Sequence, residues 1–284
     1  MPLAMRGPQG ISDKERKKTM HAVSILGVPL FAGDIPAAVE IVVRSLLEGS
    51  VSSPRCISAT GAHGLVEAQR DPAFHQLLRQ FFLNLPDGKP AVWIGRWKGA
   101  RSMQRCYGPD FFAALLQGTA SLAINHYFCG GKPGVAERLK EVVAEKFGNT
   151  RVVGTYSPPF RPMSQEEFQA LGEDIDAKEA HIVWIGISTP KQERFAAMLA
   201  PFTQKAKYLI TVGAAFDFHI GAVRQAPRWM QEAGLEWLFR LLVEPRRLWR
   251  RYVDIVPAFI YFNLKERILH PDAWASSLVE LKTQ

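Results

Sequence analysis

Four short segments carry residue types that could do chemistry, and each stands where an apolar run stops. In Leu85-Pro86-Asp87-Gly88 a carboxylate follows a buried-looking run at a turn signal. Asp87 there could act as a general base toward a hydroxyl, or it could simply bond its own turn, which Asp-Gly favours. In Gly130-Gly131-Lys132-Pro133-Gly134 the glycines would let backbone N–H groups approach a phosphate, and Lys132 adds a cation. The spacing is neither that of a Walker A loop nor of the GxGxxG fingerprint, and glycine turns between strands and helices are common. In Gly186-Ile-Ser-Thr-Pro-Lys-Gln-Glu193 a cation, an amide and a carboxylate crowd one helix start. Lys191, Gln192 and Glu193 suit a diphosphate, ribose hydroxyls and base edges, although Glu alone would also complement the helix dipole. The fourth segment is the tail, where seven arginines (224, 228, 240, 246, 247, 250, 251) face three glutamates (232, 236, 244). Arginine interleaved with Trp and Leu from Gly234 to Tyr252 suits an amphipathic helix at a lipid interface, a packed helix with solvated arginines, or a cradle for diphosphate.

Other chemistries lack their signatures. The histidines show no HxH or HExxH spacing, and GxSxG is missing. No DxD-type acidic pair stands at a strand end. Neither a metal nor a cofactor is expected. Cys56, Cys106 and Cys129 are far apart, without CxxC spacing, and read as reduced core residues.

Strand-like runs alternating with helix-period segments must position these groups. Val23–Val28 reads as a strand, Ile35–Leu47 as a helix, and Arg55–Ala59 as a strand ending in Thr60-Gly61. Helices follow to Arg70 and again from Asp71-Pro72. Strands at 124–129, 151–155, 181–186 and 208–213 alternate with helices that reach Phe147, span Ser164–Lys178 behind a capping box, and open at Pro190. The pattern predicts a mainly parallel sheet with helices on both faces and ligands at the carboxyl ends of the strands. After Gly213 the strand pattern stops and an apolar run from Tyr252 is broken by Pro257. The organisation is therefore a flexible leader (1–22), an α/β core (23–224) and a helical, basic appendage outside the sheet (225–284).

The chain has 284 residues, 47% hydrophobic and 22% charged, with net charge +8. That length buries a core without disulfides. The charge suits a nucleic acid, an anionic membrane or a phosphate-bearing substrate. Its company of apolar and Trp residues in the tail favours lipid over nucleic acid. No stretch approaches the roughly 20 apolar residues that cross a bilayer. The basic start shows no signal-peptide core.

Taken together, the segments resemble the WecG/TagA/CpsF glycosyltransferases (family 26) from about Val23 to Tyr252. The carriers are Thr60, Leu85-Pro86-Asp87-Gly88, Tyr107-Gly108-Pro109-Asp110, the 130–134 turn, Thr189-Pro190-Lys191-Gln192-Glu193 and Val212-Gly-Ala-Ala-Phe-Asp217. Gly221, Ala226-Pro227, Gly234-Leu-Glu-Trp237, Arg240 and Glu244-Pro245-Arg246 complete the series. The resemblance implies a Rossmann-like core with a C-terminal appendage. It also implies inverting, metal-independent transfer of a hexose or N-acetylhexosamine from a UDP-sugar to a polyprenyl-diphosphate-linked saccharide, in surface- or exopolysaccharide assembly. Asp87 would be the base, and Thr60 would line the pocket. Lys191, Gln192 and Glu193 would hold the nucleotide, with Asp110, Gly130, Gly131, Lys132 and Asp217 in the same binding set. Arg224, Arg240, Arg246 and Arg247 would meet diphosphate or membrane. The appendage would dock the enzyme peripherally on the cytoplasmic face of the inner membrane, and a homo-oligomer is left open.

Two positions depart from the family pattern. Ala62 stands where Thr-x-Asn has its asparagine, and Gln225 stands where Arg-Ala-Pro has its arginine, with Arg224 one place earlier. Both concern donor identity rather than reaction class, and UDP-glucose fits the loss of the asparagine. Two other classes compete: a non-catalytic membrane-associated scaffold of an assembly complex, and a nucleotide-dependent oxidoreductase.

Overall fold

The alternating runs fold, in a computed structural model, as consecutive βα units; the structure describes residues 20–275 and 278–281. A hairpin of β1 (Met20–Ile25) and β2 (Val28–Phe31) precedes α1 (Ile35–Leu47). β3 (Arg55–Thr60) leads to α2 (Ala62–Arg70) and α3 (Pro72–Gln80), and β4 (Leu83–Pro86) to α4 (Lys89–Trp97) and α5 (Gly108–Thr119). Three simpler units follow: β5 (His126–Gly130) with α6 (Val135–Phe147), β6 (Val152–Tyr156) with α7 (Gln165–Ala177), and β7 (Ile182–Gly186) with α8 (Lys191–Leu199). After β8 (Tyr208–Thr211) come α9 (Ala215–His219), α10 (Arg228–Glu232), α11 (Glu236–Val243), α12 (Pro245–Leu269), α13 (Pro271–Ala275) and β9 (Leu278–Leu281).

Six strands form one parallel sheet in the order β4-β3-β8-β7-β5-β6. Strands buried on both faces need continuous apolar runs, and β5, β7 and β8 are buried at every position. One apolar cluster, around Phe112, Trp184 and Phe216, packs α1, α5, α6 and α9 on one face; another, around Phe168, Phe195 and Leu199, packs α7 and α8 on the other. This is the expected α/β, Rossmann-like arrangement. Side-chain caps fix where helices start: Asp34 accepts the Ala37 N–H at 2.9 Å, Asp71 accepts that of Phe74 at 3.0 Å, and Ser164 with Glu167 forms the predicted capping box. From β3 the chain moves outward to β4, then returns to build β5 and β6 on the other side of β8. Such a reversal of strand order opens a crevice above the carboxyl ends.

Three expectations need correction. The first strand is a hairpin, because Leu26 (φ 53°) and Gly27 (φ 77°) make a two-residue turn inside the apolar run. Residues 1–19 of the leader lie outside the described residues, while Met20 and Ala22 are buried in β1. The C-terminal segment stays outside the parallel sheet but is not wholly helical: β9 pairs antiparallel with β1 in a separate three-stranded sheet, Ala22 opposite Val279. Finally, α12 runs through Pro257 without stopping. Proline costs one backbone hydrogen bond there, and packing holds the helix: Ile255 and Phe259 join Val23, Ile25 and Leu65 in one apolar cluster. Polar ties add to it. Arg70 bonds Asp254 with two nitrogens at 2.6 Å, and the buried Lys98 ammonium bonds the Ser24 carbonyl at 2.7 Å and Glu266 at 2.8 Å. Among the described residues no helix is long and apolar enough to cross a membrane.

Candidate active site

A cleft of about 1480 Å³ opens above the carboxyl ends of the strands, with α11 and α12 forming its outer wall. Asp87 enters it where β4 ends. The Asp87 N–H donates to the Thr60 carbonyl at 3.2 Å, which ties the turn to β3. Its carboxylate accepts the Gly108 N–H at 2.8 Å, from the start of α5 and not from its own turn. Arg105 donates through Nε to the Asp87 carbonyl at 2.9 Å and through a terminal nitrogen to Glu236 of α11. The Arg105 guanidinium also covers the Tyr107 ring, 3.9 Å from its centre.

Burial raises the Asp87 carboxyl to about 6; Arg105, the Gly108 N–H and Arg240 pull it down, and Glu236 pushes it up. A carboxyl poised near neutrality is what proton transfer from a hydroxyl requires. His63, on the same cleft, is held near 4 by burial and by Arg251 and Arg70, so its ring is neutral at physiological pH.

Around Asp87 the cleft brings together Gly131, Lys132, Lys191, Gln192, Asp217 and Arg240. Lys132 and Lys191 are exposed cations on two different helix starts. Arg240 lies over Phe218, its Nε buried with no hydrogen-bond partner among the described residues.

Five expected contacts sit elsewhere, and Gln192 meets the cleft with its polar atoms already engaged. Thr60 is buried and bonds Ser58 Oγ at 2.9 Å, so it faces into the sheet instead of lining the pocket. Glu193 lies behind the wall. Its Oε1 accepts Ser58, Thr189 and Gln192, all at 3.0 Å, and burial pushes its carboxyl up. Gln192 borders the cleft but is only 1% exposed, because its carbonyl accepts the Gly213 N–H at 2.9 Å. The first turn of α8 thus clamps β3 and β8 together, and only Lys191 of the three is presented to a ligand. Asp110, Arg224 and Arg246 are exposed away from the cleft lining, and the Arg247 side chain lies outside the described residues.

Gly130 is required by the sheet. At φ 153° it lies so close to β7 that a Cβ would fall 2.5 Å from the Gly186 carbonyl oxygen. Gly131 and Val135 spend their N–H groups on the Gly186 and Lys132 carbonyls, at 3.1 and 3.0 Å. Those two N–H groups are therefore not offered to an anion, while the Lys132 ammonium and the helix dipole are. Gly130→Ala is expected to destabilise the fold by roughly 3 kcal/mol or more, since backbone atoms cannot yield as side chains do. Chemical unfolding checks it, and a change under about 0.5 kcal/mol, the usual surface value, would refute the close-approach argument.

Sequence reasoning missed Arg105 and the role of Glu236. Arg105 lies in an irregular segment whose sole signal is the Tyr107-Gly108-Pro109-Asp110 motif beside it. Glu236 was legible as one acid among the tail arginines and as part of Gly234-Leu-Glu-Trp237, but neither assigned it a role. Among the described residues no three His, Cys, Asp or Glu side chains gather as a metal-binding group.

On α12, Trp249, Val253, Val256, Ile260, Leu264 and Ile268 are all exposed and repeat every three or four residues. They form one apolar stripe beside the face that Ile255 and Phe259 bury; its Val256 and Ile260 border the cleft, while Leu264 and Ile268 lie beyond it. A family model described as Glycosyl transferase WecG/TagA/CpsF family matches residues 23–273.

Proposed function

The chain belongs to the WecG/TagA/CpsF family of glycosyltransferases, and from that membership we propose that it transfers a hexose or N-acetylhexosamine from a UDP-sugar to a polyprenyl-diphosphate-linked saccharide. Sugar transfer in cell-surface polysaccharide synthesis follows from the family; donor, acceptor and mechanism are our reading. The observation that carries it is Asp87: a cleft carboxyl raised to about 6, with Arg105 and Arg240 near it. Above that pH the carboxylate accepts the proton of an acceptor hydroxyl as its oxygen attacks the anomeric carbon. The bond from that carbon to the donor diphosphate breaks from the opposite side, so the centre inverts and UDP leaves with the electron pair. Arg240, Lys132 and Lys191 line the same cleft and supply positive charge where the diphosphate gathers negative charge. No step calls on a bound metal.

The α12 stripe, with arginines at its start, favours peripheral docking on an anionic membrane, where a polyprenyl acceptor is confined. The cytoplasmic face of the inner membrane is the side that offers nucleotide-sugars. The proposed appendage, residues 225–284, is anchored to the core through α12 and β9.

UDP release from a panel of UDP-sugars, with a short-chain lipid-diphosphate acceptor, tests the reading. Acceptor-dependent release with one donor, unchanged by EDTA, is the expected result. Release abolished by EDTA overturns metal independence. Release from no donor favours the scaffold reading. Ala62 in place of an asparagine leads us to expect UDP-glucose among the donors accepted.

A further inference from the structure

One ion pair beside Asp87 joins distant parts of the chain. Arg105 lies between α4 and α5, and Glu236, 131 residues later, opens α11. Each side chain keeps only 13% exposure, so the pair is shielded from water and unlike a surface ion pair. Arg105 uses both sides of its planar fork: Nε holds the Asp87 carbonyl, and a terminal nitrogen holds Glu236. The backbone that carries Asp87 is thus braced against α11 through a single guanidinium.

The segment entering α5 presents Arg105, Cys106, Tyr107 and the Gly108 N–H to Asp87, and α11 presents Glu236 and Arg240. Burial raises the Cys106 thiol to about 12 and pushes the Tyr107 phenol up as well, so both are neutral. The charged neighbours are two arginines and one glutamate. Asp110, in the first turn of α5, acts on Arg105 and Glu236 but not directly on Asp87, so Glu236 is the anion that offsets the two cations at the Asp87 carboxylate.

We propose that Glu236 is a positioning residue for the transfer reaction, holding Arg105 on the Asp87 carbonyl and balancing its charge beside the carboxylate. This rests on Asp87 being the base. Glu236→Gln keeps the shape and removes the charge. With Arg105 still bonded through Nε to the Asp87 carbonyl, the acid limb of kcat/KM should then move to lower pH by up to about one unit, because a like charge has gone. A less basic Asp87 on a loosened loop should also lower kcat by about tenfold or more. Glu236→Asp, which restores the charge, should leave the limb where the wild type has it. Arg105→Lys should lower kcat through loss of the fork even where Glu236→Gln folds poorly.

The measurement is kcat and kcat/KM from about pH 5 to 9 for the four proteins, beside Asp87→Asn. An unmoved limb in folded Glu236→Gln, with Asp87→Asn inactive, overturns the inference alone. An active Asp87→Asn overturns the base assignment and this inference with it. Wild-type kcat in Arg105→Lys also overturns it, since the brace would then be dispensable.

Discussion

Replacing Asp87 with asparagine is expected to lower kcat by about a thousandfold, the middle of the range for losing a general base, while making the protein more stable at neutral pH. The amide matches the carboxylate in size, and its oxygen can still accept the Gly108 N–H, so the turn should survive. What it cannot do is take up a proton. The stability gain follows from the same burial that makes Asp87 a base. Its folded value of about 6 lies above the ordinary 3.8 of the unfolded chain. Between those values the folded state holds a proton that the unfolded chain has released, so stability falls as pH rises across that window. Above about pH 6 the loss is complete and amounts to on the order of 3 kcal/mol. Asparagine carries no such penalty. The variant should therefore melt several degrees higher than wild type at pH 7, and the advantage should vanish near pH 4. Wild-type activity would remove Asp87 from the chemistry. Equal melting at both pH values would show that its carboxyl is not destabilised in the fold.

That trade-off bears on how much the sequence alone can disclose. Asp87 was legible because Pro-Asp-Gly ends an apolar run, a local signal. Helix starts at Asp34, Asp71 and Ser164 were legible for the same reason, since a cap acts within three residues. The parallel strands announced themselves as apolar runs, because both faces of the sheet are covered. The hairpin at Leu26-Gly27 was hidden because the turn itself begins with an apolar residue. β9 was hidden because four residues become a strand only by pairing with β1, at the other end of the chain.

The site shows a similar division. Thr60, Gln192 and Glu193 stand in the motif positions the sequence singled out, yet their polar atoms mainly tie β3, α8 and β8 together. Motif spacing tells which residues gather at a strand end; it does not tell which face each side chain takes. Arg105 had no pattern to betray it, since irregular segments have no period. Its importance comes from Glu236 and Asp87, brought to it by the fold. The long helix was anticipated only as basic and amphipathic. Its split into a face that buries Ile255 and Phe259 and a face that exposes Leu264 and Ile268 needs the packing against α2 and β1.

That exposed face carries the second large expected effect. Leu264→Glu with Ile268→Glu should weaken binding to anionic liposomes by more than about a hundredfold. Each apolar side chain inserted into lipid contributes about 1.5–3 kcal/mol, and each new carboxylate would repel the surface by a further amount near 1 kcal/mol. Neither residue lines the cleft, so transfer to a water-soluble short-chain acceptor should stay within about twofold. Leu264 is 48% and Ile268 74% exposed, so the unfolding free energy should change by no more than about 0.5 kcal/mol. Vesicle sedimentation and analytical ultracentrifugation on the same two proteins separate the explanations. Lost vesicle binding with an unchanged assembly state supports a membrane face. Unchanged vesicle binding, with an oligomer that dissociates in the variant, would instead make the stripe a contact between copies of the chain. The arginines at the start of α12 sharpen the distinction, because attraction to anionic lipid weakens as salt is raised whereas burial of apolar side chains between subunits does not.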